Sequence, residues 1–277
     1  MNSSPETYPT LENQFTSTIP VAIRRDIHFG AGQLYMMAGP CAVESYEQTR
    51  LVAAAVAQAG GRILRGGAFK PRTSPDTFQG LGHEGLEILR AVADEFGLLV
   101  ITEPLAVEHV SFVSQMADII QIGSRNMQHY PLLWAVGAVD KPVLLKRGFM
   151  STIAEWFAAA EHIRSRGNQR ILLCERGIRS FDPQTRYTLD TNAIAFAKLN
   201  SPYPIIADPS HATGRSELVI PAARAAVAAG ADGLLVEIHP EPELALSDGR
   251  QSLPIKDLPY LYSAVRPVAA ACGRTLL

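Results

Sequence analysis

Short apolar runs in this 277-residue chain repeatedly end on a charged or sulfur-bearing side chain. The run at 34–40 closes on Gly39-Pro40-Cys41. The run at 62–67 carries Arg65 and leads into Lys70-Pro71-Arg72-Thr73-Ser74. Glu103 ends the third run, Arg125 follows the fourth, and Lys146 with Arg147 ends the fifth. Glu175 and Arg176 end the sixth, Asp208 and His211 the seventh, and Glu237 and His239 the eighth, with Asp248 in the loop beyond. Burying so many charges is costly unless they pair with one another in a structural network or bind something, and an anionic ligand is the economical reading. Guanidinium forks match phosphate and carboxylate, and lysine adds a point charge. Cys41, His211, Glu237 and Asp248 offer a different chemistry. A thiolate, an imidazole and two carboxylates form a donor set for a divalent transition metal. Singly, a buried Cys is packing and a lone His satisfies a hydrogen bond. Only convergence at one place makes them ligands.

The runs themselves say how they converge. Eight short segments, apolar on both faces, lie at 34–40, 62–67, 98–104, 118–123, 142–148, 171–177, 204–211 and 233–239. Each ends in Gly, Pro or a polar residue, as strands of a parallel sheet buried on both faces do. Helical stretches fill the gaps. Ser45 with Gln48, and Thr152 with Glu155, have capping-box spacing, and Gly60 and Gly167 are stop signals. Eight strands alternating with eight helical segments predict a (β/α)8 barrel rather than an open sheet, for which no topological reversal is visible. In such a barrel the strand C-termini share one mouth, so residues distant in sequence meet there. Residues 19–33 read as a short β-hairpin before the barrel. The expected organisation is an arm and hairpin over 1–33 and a catalytic barrel over 34–277.

Composition narrows the function. A net charge of −2 argues against nucleic-acid binding through bulk charge. The three cysteines, Cys41, Cys174 and Cys272, are odd in number and far apart, which predicts a reducing cytoplasm rather than a disulfide framework. Cys174 reads as core or lining and Cys272 as structural. The start has no basic segment followed by an apolar one, and no apolar run is long enough to span a membrane. No Gly-x-Gly-x-x-Gly follows a strand, and no Walker-type loop is present, so nucleotide sites are unsupported. Ser210 and His211 near Asp208 lack a Gly-x-Ser-x-Gly elbow and are too close in sequence for a hydrolase triad. The remaining histidines (His28, His83, His109, His129 and His162) read as surface residues, and His239 as a lining residue. The turn Ala212–Ser216 places a glycine just before a helix, a weak signal for an anion.

Several segments together resemble one family. AGPCAVES, LRGGAFKPRTSPDTFQGLG, IIQIGSRNMQ, KPVLLKRGF, LCERGIRSF, DPSHATGR and VEIHPEPELALSDGRQSL occur in the order found in class I (beta subclass) 3-deoxy-D-arabino-heptulosonate 7-phosphate (DAHP) synthases. The resemblance covers residues 34–255. It implies condensation of phosphoenolpyruvate with erythrose 4-phosphate and water, the first step of the shikimate route. It further implies that Cys41, His211, Glu237 and Asp248 hold a divalent metal, Mn2+ before Fe2+, Zn2+ or Co2+. Arg65, Lys70, Arg125, Lys146 and Arg176 match positions that hold phosphoenolpyruvate, and Arg72 and Thr73 match those for the aldose phosphate. Lys70 is the candidate acid, with Cys41 and His211 beside it at the catalytic centre. A homo-oligomer, dimer or tetramer, is implied as well. About 33 residues precede the first barrel strand, too few for the regulatory domains of some relatives, so no feedback by an aromatic amino acid through such a domain is expected. The nearest alternative is 3-deoxy-manno-octulosonate 8-phosphate synthase, acting on arabinose 5-phosphate. That family shows Lys-Ala-Asn-Arg, one residue longer than Lys70-Pro71-Arg72, and proline shortens the reach here. A non-catalytic barrel binding phosphorylated metabolites is the alternative from another class; all four metal donors being present argues against it.

Overall fold

The structure is a computed structural model and describes residues 18–70, 74 and 76–277. Arg72 and Thr73 lie outside the described residues, as does most of the arm. A hairpin comes first, β1 (Val21–Arg24) against β2 (Ile27–Phe29), antiparallel as the sequence predicts. The barrel strands are β3 (Gln33–Gly39), β4 (Ile63–Arg65), β5 (Leu99–Thr102), β6 (Ile119–Ile122), β7 (Val143–Lys146), β8 (Ile171–Glu175), β9 (Ile205–Ala207) and β10 (Gly233–His239). They pair in sequence order, all parallel, and β10 closes onto β3 with Glu237 beside Gly39. This is a closed (β/α)8 barrel. Two short strands extend its rims, β11 (Leu253–Pro254) on β10 and β12 (Thr275–Leu276) on β3.

The helices are α1 (Tyr46–Gln58), α2 (His83–Glu95), α3 (Val110–Met116), α4 (Tyr130–Gly137), α5 (Ile153–Arg164), α6 (Thr191–Asn200), α7 (Pro209–Thr213), α8 (Ser216–Ala228) and α9 (Leu258–Ala271). Thr152 makes the full capping box with Glu155. Ser45 makes half of one: its hydroxyl accepts from the Gln48 amide, while the Gln48 carboxamide turns to Ala42 and Glu44 instead. The single-turn α7 is an addition to the sequence expectation. Asp208 caps it, Pro209 starts it, and Gly214, left-handed at φ 67°, ends it. Ala212 and Thr213, read from sequence as loop, belong to it. Cys272, expected to be structural, is exposed.

The strand period of two decides what faces the site. The lumen is filled by Tyr35, Met37, Ile63, Leu99, Ile101, Ile119, Leu144, Leu172, Cys174, Ile206 and Leu235, with Phe29 and Ile27 of the hairpin beneath. Alternate residues (Met36, Leu64, Val100, Ile120, Leu145, Leu173, Val236) pack outward against the helices. Carried one step toward the C-terminal rim, the same alternation turns Arg65, Gln121, Lys146, Arg176, Asp208 and Glu237 inward. It turns Arg147 and Glu175 outward.

Candidate active site

The outward pair is structural. Arg147 Nη1 lies 3.0 Å from Glu175 Oε2 and 3.0 Å from Asp190 Oδ2, so it ties two strand ends to the cap of α6. Neither belongs to the mouth, although the sequence places them beside residues that do.

The inward residues form two groups. On one side, donor atoms of Cys41, His211, Glu237 and Asp248 all lie within 4.8 Å of one another. Ligands held about 2.0–2.3 Å from one ion have that spread, so the sulfur, nitrogen and oxygen set fits a divalent cation. Its parts come from the end of β3, from α7, from β10 and from the loop after β10. The neighbours orient them. Glu237 Oε1 accepts from Arg65 at 2.8 Å and its Oε2 from Gln251 at 2.5 Å. Cys41 Sγ lies 3.0 Å from Lys70 Nζ and from Ser247 Oγ. His211 Nδ1 lies 2.8 Å from Asp208 Oδ2, which leaves Nε2, 3.4 Å from Glu237, as the atom to coordinate. Asp248 receives Arg186 Nη1 at 3.2 Å. Among the described residues Asp248 is the only non-glycine with a left-handed backbone, φ 52°, a strained conformation that clusters at functional sites.

Charge tuning matches that geometry. Burial, then the Glu237 carboxylate, pushes the Cys41 thiol up to about 12 against the pull of Lys70. Burial also lowers His211 below the usual histidine value, so its imidazole is neutral and able to ligate near neutral pH. Burial opposes ionisation of Asp208, but His211 and Lys146 hold its carboxyl well below the usual range. Asp248 is lowered likewise, burial being outweighed by His211, Arg186 and Lys70.

On the other side lies the cation-lined cavity of Arg65, Lys70, Arg125, Lys146 and Arg176, with Gln121, Asn126, Phe149, Tyr187 and His211 in its wall. Lys146 is paired with Asp208 at 2.6 Å. Arg176 is not: its Nε and Nη1 are buried with no hydrogen-bond partner among the described residues. Its guanidinium sits 4.6 Å from the centre of the Tyr187 ring, which stacks on Phe149 at 5.6 Å. Buried donors left open in a cavity await an acceptor. Thus the residues expected to hold metal or substrate, within the described range, reach the mouth, whereas Arg147 and Glu175 do not. Sequence reading missed Gln121, Tyr187, Arg186, Ser247 and Gln251. Gln121 alone had a signal, since the strand period points it inward. A larger cavity, about 950 Å³, lies outside the barrel between α1 and α9, lined mainly by Ala, Pro, Ile and Tyr with Lys256 and Arg266; it gathers no chemical constellation.

Fold and mouth together define a (β/α)8 barrel with a candidate metal centre set against an anion pocket. The family model for the DAHP synthetase I family matches residues 17–271, and the chain belongs to that family. It is 48% identical over 266 residues to phospho-2-dehydro-3-deoxyheptonate aldolase of Thermotoga maritima, covering 96% of this chain and 79% of the relative. The crystal structure of the T. maritima enzyme, DAHP synthase, superposes with a TM-score of 0.91 at 48% identity, over 94% of this chain and 76% of that one. A truncated form of the T. maritima synthase gives 0.88 at 45% identity, over 94% and 95%. The 2-dehydro-3-deoxyphosphooctonate aldolase of Pelobacter propionicus is more distant, 33% identical over 86% of this chain and 93% of the relative.

Proposed function

We propose that this enzyme condenses phosphoenolpyruvate with erythrose 4-phosphate and water, giving DAHP and inorganic phosphate as the first step of the shikimate route to aromatic amino acids. The observation that carries the reading is the juxtaposition of the donor quartet with the open N–H groups of Arg176 in one mouth. A substrate with both a phosphate and a carboxylate uses several guanidiniums at once, and a second substrate with an aldehyde uses the cation.

Arg65, Lys70, Arg125, Lys146 and Arg176 hold phosphoenolpyruvate, and their fixed placement orients its C3 toward the aldehyde. Arg72 and Thr73 take the aldose phosphate. Cys41, His211, Glu237 and Asp248 hold a divalent cation, with Mn2+ first and Fe2+, Zn2+ and Co2+ also suited to the mixed donors. When bound, that ion supplies Lewis-acid polarisation of the aldehyde oxygen. Asp208 keeps His211 in the tautomer that frees Nε2. Lys70 Nζ, 2.7 Å from the Cys41 carbonyl oxygen and 3.0 Å from its sulfur, is the proton donor beside the reacting carbons. The chain works as a homo-oligomer in the cytoplasm.

The test is a side-by-side assay with erythrose 4-phosphate and arabinose 5-phosphate at saturating phosphoenolpyruvate. Turnover confined to the four-carbon aldose is expected; preference for the five-carbon sugar would assign the octulosonate reaction, and turnover of neither would leave a binding barrel. Lys70→Met is expected to lose most of the turnover while phosphoenolpyruvate affinity falls less.

A further inference from the structure

A second basic cavity lies outside the mouth. About 340 Å³ in volume, it is walled by the loops that follow β8, β9 and β10, which contribute Arg186, Arg215 and Arg250 respectively. Its frame is fixed. The amides of Arg186 and Tyr187 donate to the carbonyls of Thr213 and Ala212 at 3.0 and 2.8 Å, so the first two loops are zipped together. Arg215 Nη1 donates to the Gln184 carbonyl at 3.3 Å, and Arg186 Nη1 to Gln251 Oε1 at 3.1 Å. Gly214 lets the turn come close: a Cβ there would stand 2.5 Å from the Cβ of Arg186.

The charges in this cavity do not cancel. Arg215 is answered by Glu217 at 2.5 Å and Arg186 by Asp248 at 3.2 Å. Arg250 is exposed and shares Glu217 with Arg215 at longer range. One cation is therefore in excess. Asp248 belongs to the donor quartet, and a carboxylate that gives its charge to a metal ion neutralises Arg186 less. The cavity is then most in need of an anion when the quartet is loaded. Three guanidiniums on separate loops make a tripod suited to a tetrahedral dianion, and the volume leaves room for a short carbon chain.

We propose that Arg186, Arg215 and Arg250 form an outer binding site for a small phosphomonoester, linked through Arg186 to the metal ligand Asp248. An anion that draws Arg186 away frees Asp248 for the metal, and a metal on Asp248 frees Arg186 for the anion. Each tightens the other by the same factor. This site is separate from the cavity that contains Arg176, and its occupant does not react.

The experiment is calorimetric titration of glycerol 3-phosphate into the full chain, loaded with Mn2+ and saturated with phosphoenolpyruvate so that the inner cavity is filled. Two sites are expected, the aldose-phosphate subsite assigned to Arg72 and Thr73 and the outer site; only the outer one is weakened, about tenfold or more, in Arg250→Ala and in Arg215→Ala, with phosphoenolpyruvate affinity unchanged in both. Binding at the outer site, followed in Arg72→Ala so that the aldose-phosphate subsite is silent, is expected to be several-fold weaker without metal. Arg250 is exposed, so its truncation does not threaten the fold. Unaltered monoester affinity in both variants overturns the site, as does monoester binding that phosphoenolpyruvate abolishes; in that last case the inner cavity holds the anion and the reading of the mouth stands. Equal affinity with and without Mn2+ overturns the linkage. If phosphoenolpyruvate itself fails to bind, the proposed reaction falls, while the Arg250→Ala effect still reports on the outer site.

Discussion

The two halves of the mouth handle charge in opposite ways. The donor quartet is partnered already: Lys70 and Ser247 on Cys41, Arg65 and Gln251 on Glu237, Asp208 on His211, Arg186 on Asp248. The substrate half is left open at Arg176. A buried carboxylate without a partner would be too costly to keep, so neighbours hold the quartet in place. An arginine waiting for a dianion tolerates the wait better, because an aromatic face at 4.6 Å shields and attracts it. The metal half is therefore stabilised by hydrogen bonds and charge pairs, which Arg65, Lys70 and Lys146 of the substrate half share, while Arg176 rests on stacking. Mutations should divide along the same line.

The largest effect belongs to the quartet. Cys41→Ala or His211→Ala is expected to abolish stoichiometric Mn2+ binding by calorimetry and to lower kcat by at least about a thousandfold, because the Lewis acid is lost. Retention of metal by both variants would place the ion elsewhere and break the comparison at its root. Next comes Arg176→Lys, which keeps charge but loses the planar fork. We expect kcat/KM for phosphoenolpyruvate to fall about a hundredfold with Mn2+ affinity unchanged. A parallel loss of metal affinity would mean that the halves are not independent.

This division is only partly written in the sequence. The barrel was legible because eight runs apolar on both faces, each followed by a helical stretch, leave few other arrangements. The quartet was legible because its members end neighbouring strands and because the motifs resemble those of a family. Arg147 and Glu175 show the limit: they sit next to Lys146 and Arg176 in sequence, yet one residue reverses the face, and they tie strand to helix instead of lining the mouth. Counting alternation from Leu144 and Leu172 would have separated them, and counting from Ile119 would have added Gln121. Tyr187, Arg186, Ser247 and Gln251 had no such signal. They lie in loops, where no period operates and position depends on which loops pack together.

Smaller effects sharpen the boundary within the metal half. Asp208→Asn keeps the shape and the cap of α7 but removes the charge that orients His211 and partners Lys146. Outer partners of metal ligands are worth roughly 10–100-fold in affinity, and Mn2+ binding is expected to weaken by that order while the helical signal in circular dichroism is retained. A change below twofold would mean that His211 is oriented by packing alone. The pH dependence follows from the thiol. With Cys41 raised to about 12 by burial, the metal-free site carries its proton throughout the neutral range, and a thiolate ligand must release it. His211, lowered by burial, is already neutral there and releases none. Apparent Mn2+ affinity should therefore rise about tenfold per pH unit between roughly pH 7 and 8.5. A slope near two would require a protonated His211, and a flat profile a preformed thiolate.

The smallest effect lies at the stacked edge of the substrate half. Tyr187 has the Arg176 guanidinium 4.6 Å from its ring centre, that of Arg186 at 5.7 Å, and Phe149 stacked on it at 5.6 Å. It thus bridges the arginine of the inner cavity and the arginine that answers Asp248. If stacking is what holds Arg176, the ring matters and the hydroxyl does not. Tyr187→Leu should raise KM for phosphoenolpyruvate by several-fold, in line with about 0.5–2 kcal/mol for a cation over an aromatic face, with kcat little changed. Tyr187→Phe should restore most of the affinity. Rescue by Phe distinguishes a face from a hydrogen bond; failure of that rescue would assign the effect to the phenol oxygen, and Arg176 would then be held by a polar contact like the residues of the opposite half.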